Sequence, residues 1–373
     1  NEVGVYVSVD RGQNWARFKN NLPVVPVDDI LIHPRENDLI VGTHGRGMYI
    51  MSDVTPLEHL SPDMMAEAGR VFPSRSIMWA ERGDWPFYGA TFSAPNPPRG
   101  ARIRYYLRDA PSDVTEIDDG DGSHDEADGE DFSLTVTDMS GKHVRTLEAP
   151  SLPGINEVIW DWRYDPPYER PSDSETEGGG PGGMFRGTPQ GPIVMPGNYT
   201  VSMKINGESY SSLVEIVAEP RRPMTSGDRI TRQNALMSLH VLAKPIHEAR
   251  QAIDSVNEQL VAAKELMEGA DESPEELAEE LAALEEELDA IRDELNTARG
   301  YTGVSSAIQG SSTLPTEDHL WQVDRAWEVV PGILDRLNVL VLTRVPALNE
   351  RLYADAVLPT LGETIDLPVR PTG

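Results

Sequence analysis

The sequence predicts a multidomain fold of β plus α class. Up to about residue 220 the apolar residues come in short runs of strand length, broken by Asn, Asp, Gly and Pro. From about residue 226 they recur at alternating steps of three and four, the period of a helical seam. A length of 373 residues gives room for two or three separate cores.

Residues 1–56 open on the alternating run "VGVYVSVD". The octet "SVDRGQNW", Ser8 to Trp15, turns the chain, and "DDILIHP", "DLIVGTH" and "GMYIMSD" follow at short spacing. This predicts an antiparallel meander. Residues 57–69 read as a connector. Residues 70–220 carry "RIRYYLRD", "FSLTVTD", "HVRTLEA", "NEVIWDWRY", "NYTVSMKI" and "SSLVEIVAE", with tight turns expected at "DMSGKH" and "INGES". Many short strands at this spacing predict a β-sandwich of immunoglobulin type. In "WDWR", Trp160 and Trp162 fall on one face of a strand and are expected in the core. Two insertions, residues 116–131 and 171–192, hold too little apolar surface to fold alone and read as mobile loops.

Residues 221–373 read as a helical hairpin plus a third helix. One seam runs from Leu239 through Leu242, Ile246 and Ala249 to Met267, and a second from Leu277 through Leu284 and Ile291 to Ala298. Ser273, Pro274 and Glu276 make a helix start between them, so the two helices should run antiparallel. A third apolar series spans Leu320 to Leu352, where Pro331 and Pro346 are expected to kink or interrupt it.

The net charge is −30, from 62 acidic and 32 basic residues, which disfavours nucleic acid as a partner. The basic residues are 27 Arg and 5 Lys. A dense carboxylate surface with scarce Lys suggests a host adapted to salt. There is no Cys, so disulfides, thiol chemistry and Cys-ligated zinc are excluded. No run of apolar residues is long enough to span a membrane.

Several motifs admit two readings. In the octet, Asp10 is the tempting catalytic acid, but Ser8, Asp10, Gly12 and Trp15 also suit a tight turn with the indole packed back against it. In "THGRG", His44 and Arg46 are either a ligand contact or a solvated strand-end turn. In the acidic insertion, Asp119, Asp121, Ser123, Asp125 and Glu130 fall at Ca²⁺-loop positions, although His124 stands where such a loop needs Gly. The alternative is a solvated acidic loop, and no cofactor is otherwise expected. Residues 271–299 carry 12 acidic and 2 basic side chains, either a solvated face or a docking surface for a basic partner. No nucleophilic triad or metal-binding His spacing is visible.

The octet matches an Asp-box, the repeat turn of many β-propellers. With "NNLPVVPVDDILIHPRENDLIVGTHGRGMYIMSD" after it, the chain resembles the C-terminal part of the sortilin/Vps10-like, BNR-repeat propeller proteins often labelled glycosyl hydrolases. "GTHGRGMYI" is similar to the last blade of xyloglucanase-like propellers. "DMSGKHVRTL", "GINEVIWDWRYDPP" and "VMPGNYTV" resemble the immunoglobulin-like module that follows such propellers, with Trp162 where Leu is usual. The resemblance implies one last blade in residues 1–56, a sandwich in 70–220, and a bacterial protein that is secreted, periplasmic or at the cell surface, with its signal upstream. It implies a non-catalytic region that closes the propeller and binds polysaccharide or a protein. The alternatives are part of a glycoside hydrolase of xyloglucanase or sialidase type whose catalytic residues lie upstream, and a sortilin-like peptide binder. In such a propeller the Asp-box lies on the outer rim, away from the central channel.

Overall fold

Sheets fill the first part of the chain and helices the rest, giving a mixed β and α fold with several antiparallel sheets and a helical C-terminal region. The computed structural model describes residues 2–19, 21–74, 77–79, 98–111, 132–169, 189–220, 224–268, 275–311, 313–352, 368, 370 and 371. Two compact units result: Asn1–Arg163 with Pro196–Pro220, and Tyr164–Met195 with Arg221–Gly373.

In the first unit, β1 (Val5–Val7) and β2 (Ala16–Phe18) form a two-stranded hairpin closed by the octet. β3 (Val27–Ile32), β4 (Leu39–Thr43) and β5 (Gly47–Met51) form a separate antiparallel sheet. The single meander expected over residues 1–56 is therefore corrected to two sheets. The break falls in "KNNLPVVP", where Pro23 and Pro26 bring no N–H to a ladder and Asn21 turns the chain at φ 56°. The stretch read as a connector contains α1 (Thr55–His59) and α2 (Pro62–Met65); Ser61 caps α2 by accepting from Met64 N.

Among the described residues, eight strands follow: β6 (Gly69–Val71), β7 (Ile77–Trp79), β8 (Ala101–Leu107), β9 (Phe132–Asp138), β10 (His143–Leu147), β11 (Gly154–Trp160), β12 (Gly197–Ile205) and β13 (Glu208–Ala218). They make two sheets, ordered β11-β8-β6 and β10-β9-β12-β13-β7, all antiparallel except β7 alongside β13. Alternation decides which side chains go inside. β8 buries Ala101, Ile103, Tyr105 and Leu107; β12 buries Tyr199, Val201, Met203 and Ile205. The sheets meet face to face: the Trp160 and Tyr199 rings pack edge-on with centroids 5.1 Å apart, and Tyr105 meets Phe132 at 5.9 Å. Gly69 lies close against the opposite sheet, where a Cβ would come within 2.6 Å of the Met203 terminal methyl. The "INGES" turn joins β12 to β13 with Asn206 and Gly207 both at positive φ.

Trp160 and Trp162 are both buried, but not by strand alternation. β11 stops at Trp160, and Trp162 turns inward from the left-handed region at φ 61°. The Trp160 indole N–H donates to the Arg163 carbonyl across this bend, at 2.9 Å.

The second unit is built on α3 (Ser226–Glu268), α4 (Glu275–Thr302), α5 (Val304–Gly310), α6 (Glu317–Val339), a π turn (Leu340–Arg344) and α7 (Val345–Leu352). The seam residues are buried in one cluster, from Leu239 to Ala263 in α3, Leu277 to Ala298 in α4, and Val323 to Leu348 along α6, the π turn and α7. Cross-helix pairs set the directions. Lys264 reaches Glu285 at 3.3 Å and Arg292 reaches Asn257 at 3.4 Å, so α3 and α4 run antiparallel. Arg336, Arg344 and Arg351 pair with Glu294, Glu287 and Glu280, so the third helix runs back along α4.

Of the two outcomes expected at Pro331, a kink or an interruption, interruption does not occur: α6 runs on past it to Val339. Val330 and Leu334 beside it are fully buried, and that packing outweighs the cost of about 3 kcal/mol for an interior proline. Pro346 sits just inside α7, directly after the π turn, whose wider coil makes room for its ring. Ser273 and Pro274 lie outside the described residues.

Residues 164–169 and 189–195 also belong to this unit. Tyr164 N donates to the Pro192 carbonyl at 3.0 Å, and Ile193 N to Gln309 Oε1 at 3.0 Å. The Tyr168 ring stacks flat on His247 of α3, 3.8 Å away. One α3 turn pair earlier, burial pushes the His240 pKa down, against the pull of Asp165.

Candidate functional site

The strongest sequence motif folds into a closed network of local hydrogen bonds. Ser8 Oγ donates to Asp10 Oδ1 at 2.8 Å and accepts from Gly12 N at 2.7 Å. The Asp10 carboxylate accepts from Asn14 N at 2.8 Å and Asn14 Nδ2 at 2.5 Å. Trp15 Nε1 donates to the Gly12 carbonyl at 3.1 Å, which folds the indole over a glycine at φ 88°. The Asn14 and Ser8 hydrogen bonds lower the Asp10 pKa to about 2. A carboxylate so held is ionised at neutral pH and has its lone pairs committed to the turn. It is a poor general acid.

His44 and Arg46 lie in the β4–β5 connection, between Gly45 and Gly47, which both adopt positive φ. Thr43 Oγ1 closes the turn by donating to the Gly47 carbonyl at 2.5 Å. His44 Nδ1 approaches Asp28 Oδ2 at 3.3 Å, with both side chains largely exposed. The structure therefore leaves the octet and the "THGRG" turn on different sheets.

Between the β1–β2 hairpin and β3 is an open groove of about 400 Å³, lined by Gly4, Val5, Tyr6, Trp15 and Ile30. Register places Ile30, Val41 and Tyr49 on one face of the three-stranded sheet, together with Ile32, Leu39 and Met51. Ile30 turns this face toward the hairpin, and Val41 is buried. The other face carries Leu31, Ile40, Met48 and Ile50. Of these Leu31 is 54%, Met48 66% and Ile50 60% exposed, and Ile30 and Ile32 of the first face are themselves about half-exposed, so the sheet is apolar on both sides and covered fully on neither.

An anchor not foreseen from the sequence sits at the end of this sheet. Arg104 of β8, only 12% exposed, pairs with Asp53 at 3.0 Å and Glu157 at 2.7 Å. It also donates to the carbonyls of Asp53 at 2.8 Å and Ser52 at 3.1 Å. It joins the chain just after β5 to the sandwich. Nothing in the local sequence marks Arg104, because its partners lie about 50 residues away on either side.

The proposed calcium ligands Asp119, Asp121, Ser123, Asp125 and Glu130 lie outside the described residues. Among the described residues, no group of three or more His, Asp or Glu is placed to hold a metal ion. No helix among them is long and apolar enough to cross a membrane. The acidic face of α4 is partly answered within the fold, since Glu280, Glu287 and Glu294 each hold an arginine of the third helix. No family model and no curated protein matches the chain.

Proposed function

We propose that residues 1–56 are the closing blade of a larger propeller, and that the sandwich and helical unit are its non-catalytic accessory modules. The observation that carries this is the β3–β5 sheet with apolar residues on both faces. A sheet that ends a molecule normally turns a polar face to water. One that is apolar on both sides is built to be sandwiched between neighbours, as stacked sheets are. The hydrogen-bonded octet supports the same reading, as a turn whose only carboxylate is engaged by backbone and side-chain donors of the turn itself. An immunoglobulin-like sandwich is supported by strand order: the first strand divides into β6 and β7, which join opposite sheets, and β7 runs parallel to the last strand. The proposal carries export from the cell and a polysaccharide or protein ligand with it.

Replacing Leu31 by Ser tests it. In the protein expressed from its whole reading frame, the substitution should cost about 2 kcal/mol of blade stability, because the side chain is buried there. In residues 1–373 alone it should be close to neutral. Equal, small effects in both proteins would sink the closing-blade reading. Release of reducing ends from plant or bacterial polysaccharides by the whole protein would instead favour a hydrolase with its carboxylates upstream.

A further inference from the structure

The α3–α4 pairing has a heptad register in its polar flank. Lys264 faces Glu285, an ion pair at 3.3 Å. Seven residues back along α3 and seven forward along α4, Asn257 faces Arg292. The next step of seven pairs Arg250 with Arg299. The series runs from opposite charges, through a neutral partner, to two like charges. Like charges opposite one another destabilise a helix pair unless something lies between them. This pair occurs in a chain of net charge −30, where acidic partners are plentiful.

Neither arginine has found one. Among the described residues, no carboxylate lies within ion-pair distance of either guanidinium. Arg250 Nη2 is buried without a hydrogen-bond acceptor. Burial and then the Arg299 charge lower the Arg250 pKa, against Tyr168 and Asp254. Tyr168 is held beside Arg250 by its stack on His247, one turn earlier on α3. A guanidinium with a desolvated, unused N–H forfeits a strong charge-assisted hydrogen bond. Arg299 is exposed at the facing position of α4, so its guanidinium is available to share with Arg250 an oxyanion that needs several N–H donors.

We propose that Arg250 and Arg299 form a binding site for a small oxyanion, of the phosphate or carboxylate class, bridging α3 and α4. The bound anion completes the polar flank that Lys264–Glu285 begins. It adds to the helical unit a ligand-dependent stability that the apolar seam does not supply.

The test is thermal unfolding and calorimetry of the whole chain with inorganic phosphate and with acetate, each against sodium chloride at matched ionic strength. Matching removes the general screening expected of so acidic a protein. The site predicts a rise in Tm with phosphate, acetate or both that chloride does not give. Arg299→Glu supplies the missing carboxylate within the chain, so it should raise Tm without added anion and weaken anion binding by at least about tenfold. Arg299→Gln should weaken binding similarly with only the smaller rise that relief of the like-charge repulsion gives, which separates loss of the site from a folding defect. If neither anion exceeds chloride, or if the anion response survives both substitutions, there is no site.

Discussion

Asp10 illustrates how one side chain can resemble a catalytic group and be structural. Its carboxylate holds Asn14 N, Asn14 Nδ2 and the Ser8 hydroxyl, and these bonds need the charged form. The folded pKa, about 2, lies below the ordinary aspartate value of 3.8. The sign follows: the turn's extra stability is present above the unfolded value and is lost as pH falls through the folded one. Fluorescence or NMR of Trp15, whose indole bonds the same turn, should therefore titrate with a midpoint near 2. A midpoint near 4, the range of an unperturbed carboxylate, would show that the network is not formed in solution. The octet was legible because all its partners lie within a few residues. Arg104 was not, because its partners are brought to it only by the fold.

At the scale of elements, periodicity carried furthest where one face alone is buried. The seams from Leu239 to Ala263 and from Leu277 to Ala298 lie inside as their spacing requires. Leu288 is 1% exposed near the middle of α4. Leu288→Ala should cost about 2–5 kcal/mol, with loss of helical signal at a lower denaturant midpoint. A cost below about 1 kcal/mol would mean that the seam is not closed in solution. The apolar pattern misleads where proline chemistry and packing override it. Pro331 is expected to kink or interrupt its helix, and burial of Val330 and Leu334 carries the helix on past it. Pro23 and Pro26, between the hairpin and β3, divide the expected meander in two. The facing arginines needed the register between helices, which spacing within either helix does not give.

Across the whole molecule, 62 acidic residues meet 32 basic ones, and the mutual repulsion falls as salt rises. The three Arg–Glu pairs along α4 are half-exposed and contribute about 1 kcal/mol each at most, so their screening is a smaller effect. Tm should thus increase between low salt and about 1 M sodium chloride, where the screening length shrinks to about 3 Å. Equal stability and solubility at both would remove the case for a salt-adapted host. The broad division into sheets then helices was legible because the hydrophobic period changes once, near residue 226. The ownership of Tyr164–Met195 was not, since a segment written between two strands packs with helices that follow later.

That interleaving bears on ancestry. The chain leaves the sandwich after Arg163, returns at Pro196 and leaves again after Pro220. A gene cut at residue 220 would keep all the described strands yet separate Tyr168 from His247 and Ile193 from Gln309. The sandwich and the helices are therefore not cassettes that one recombination event could exchange. They would have to be inherited together, and a homologue that has lost the helices should also have lost or rewritten the segment between β11 and β12.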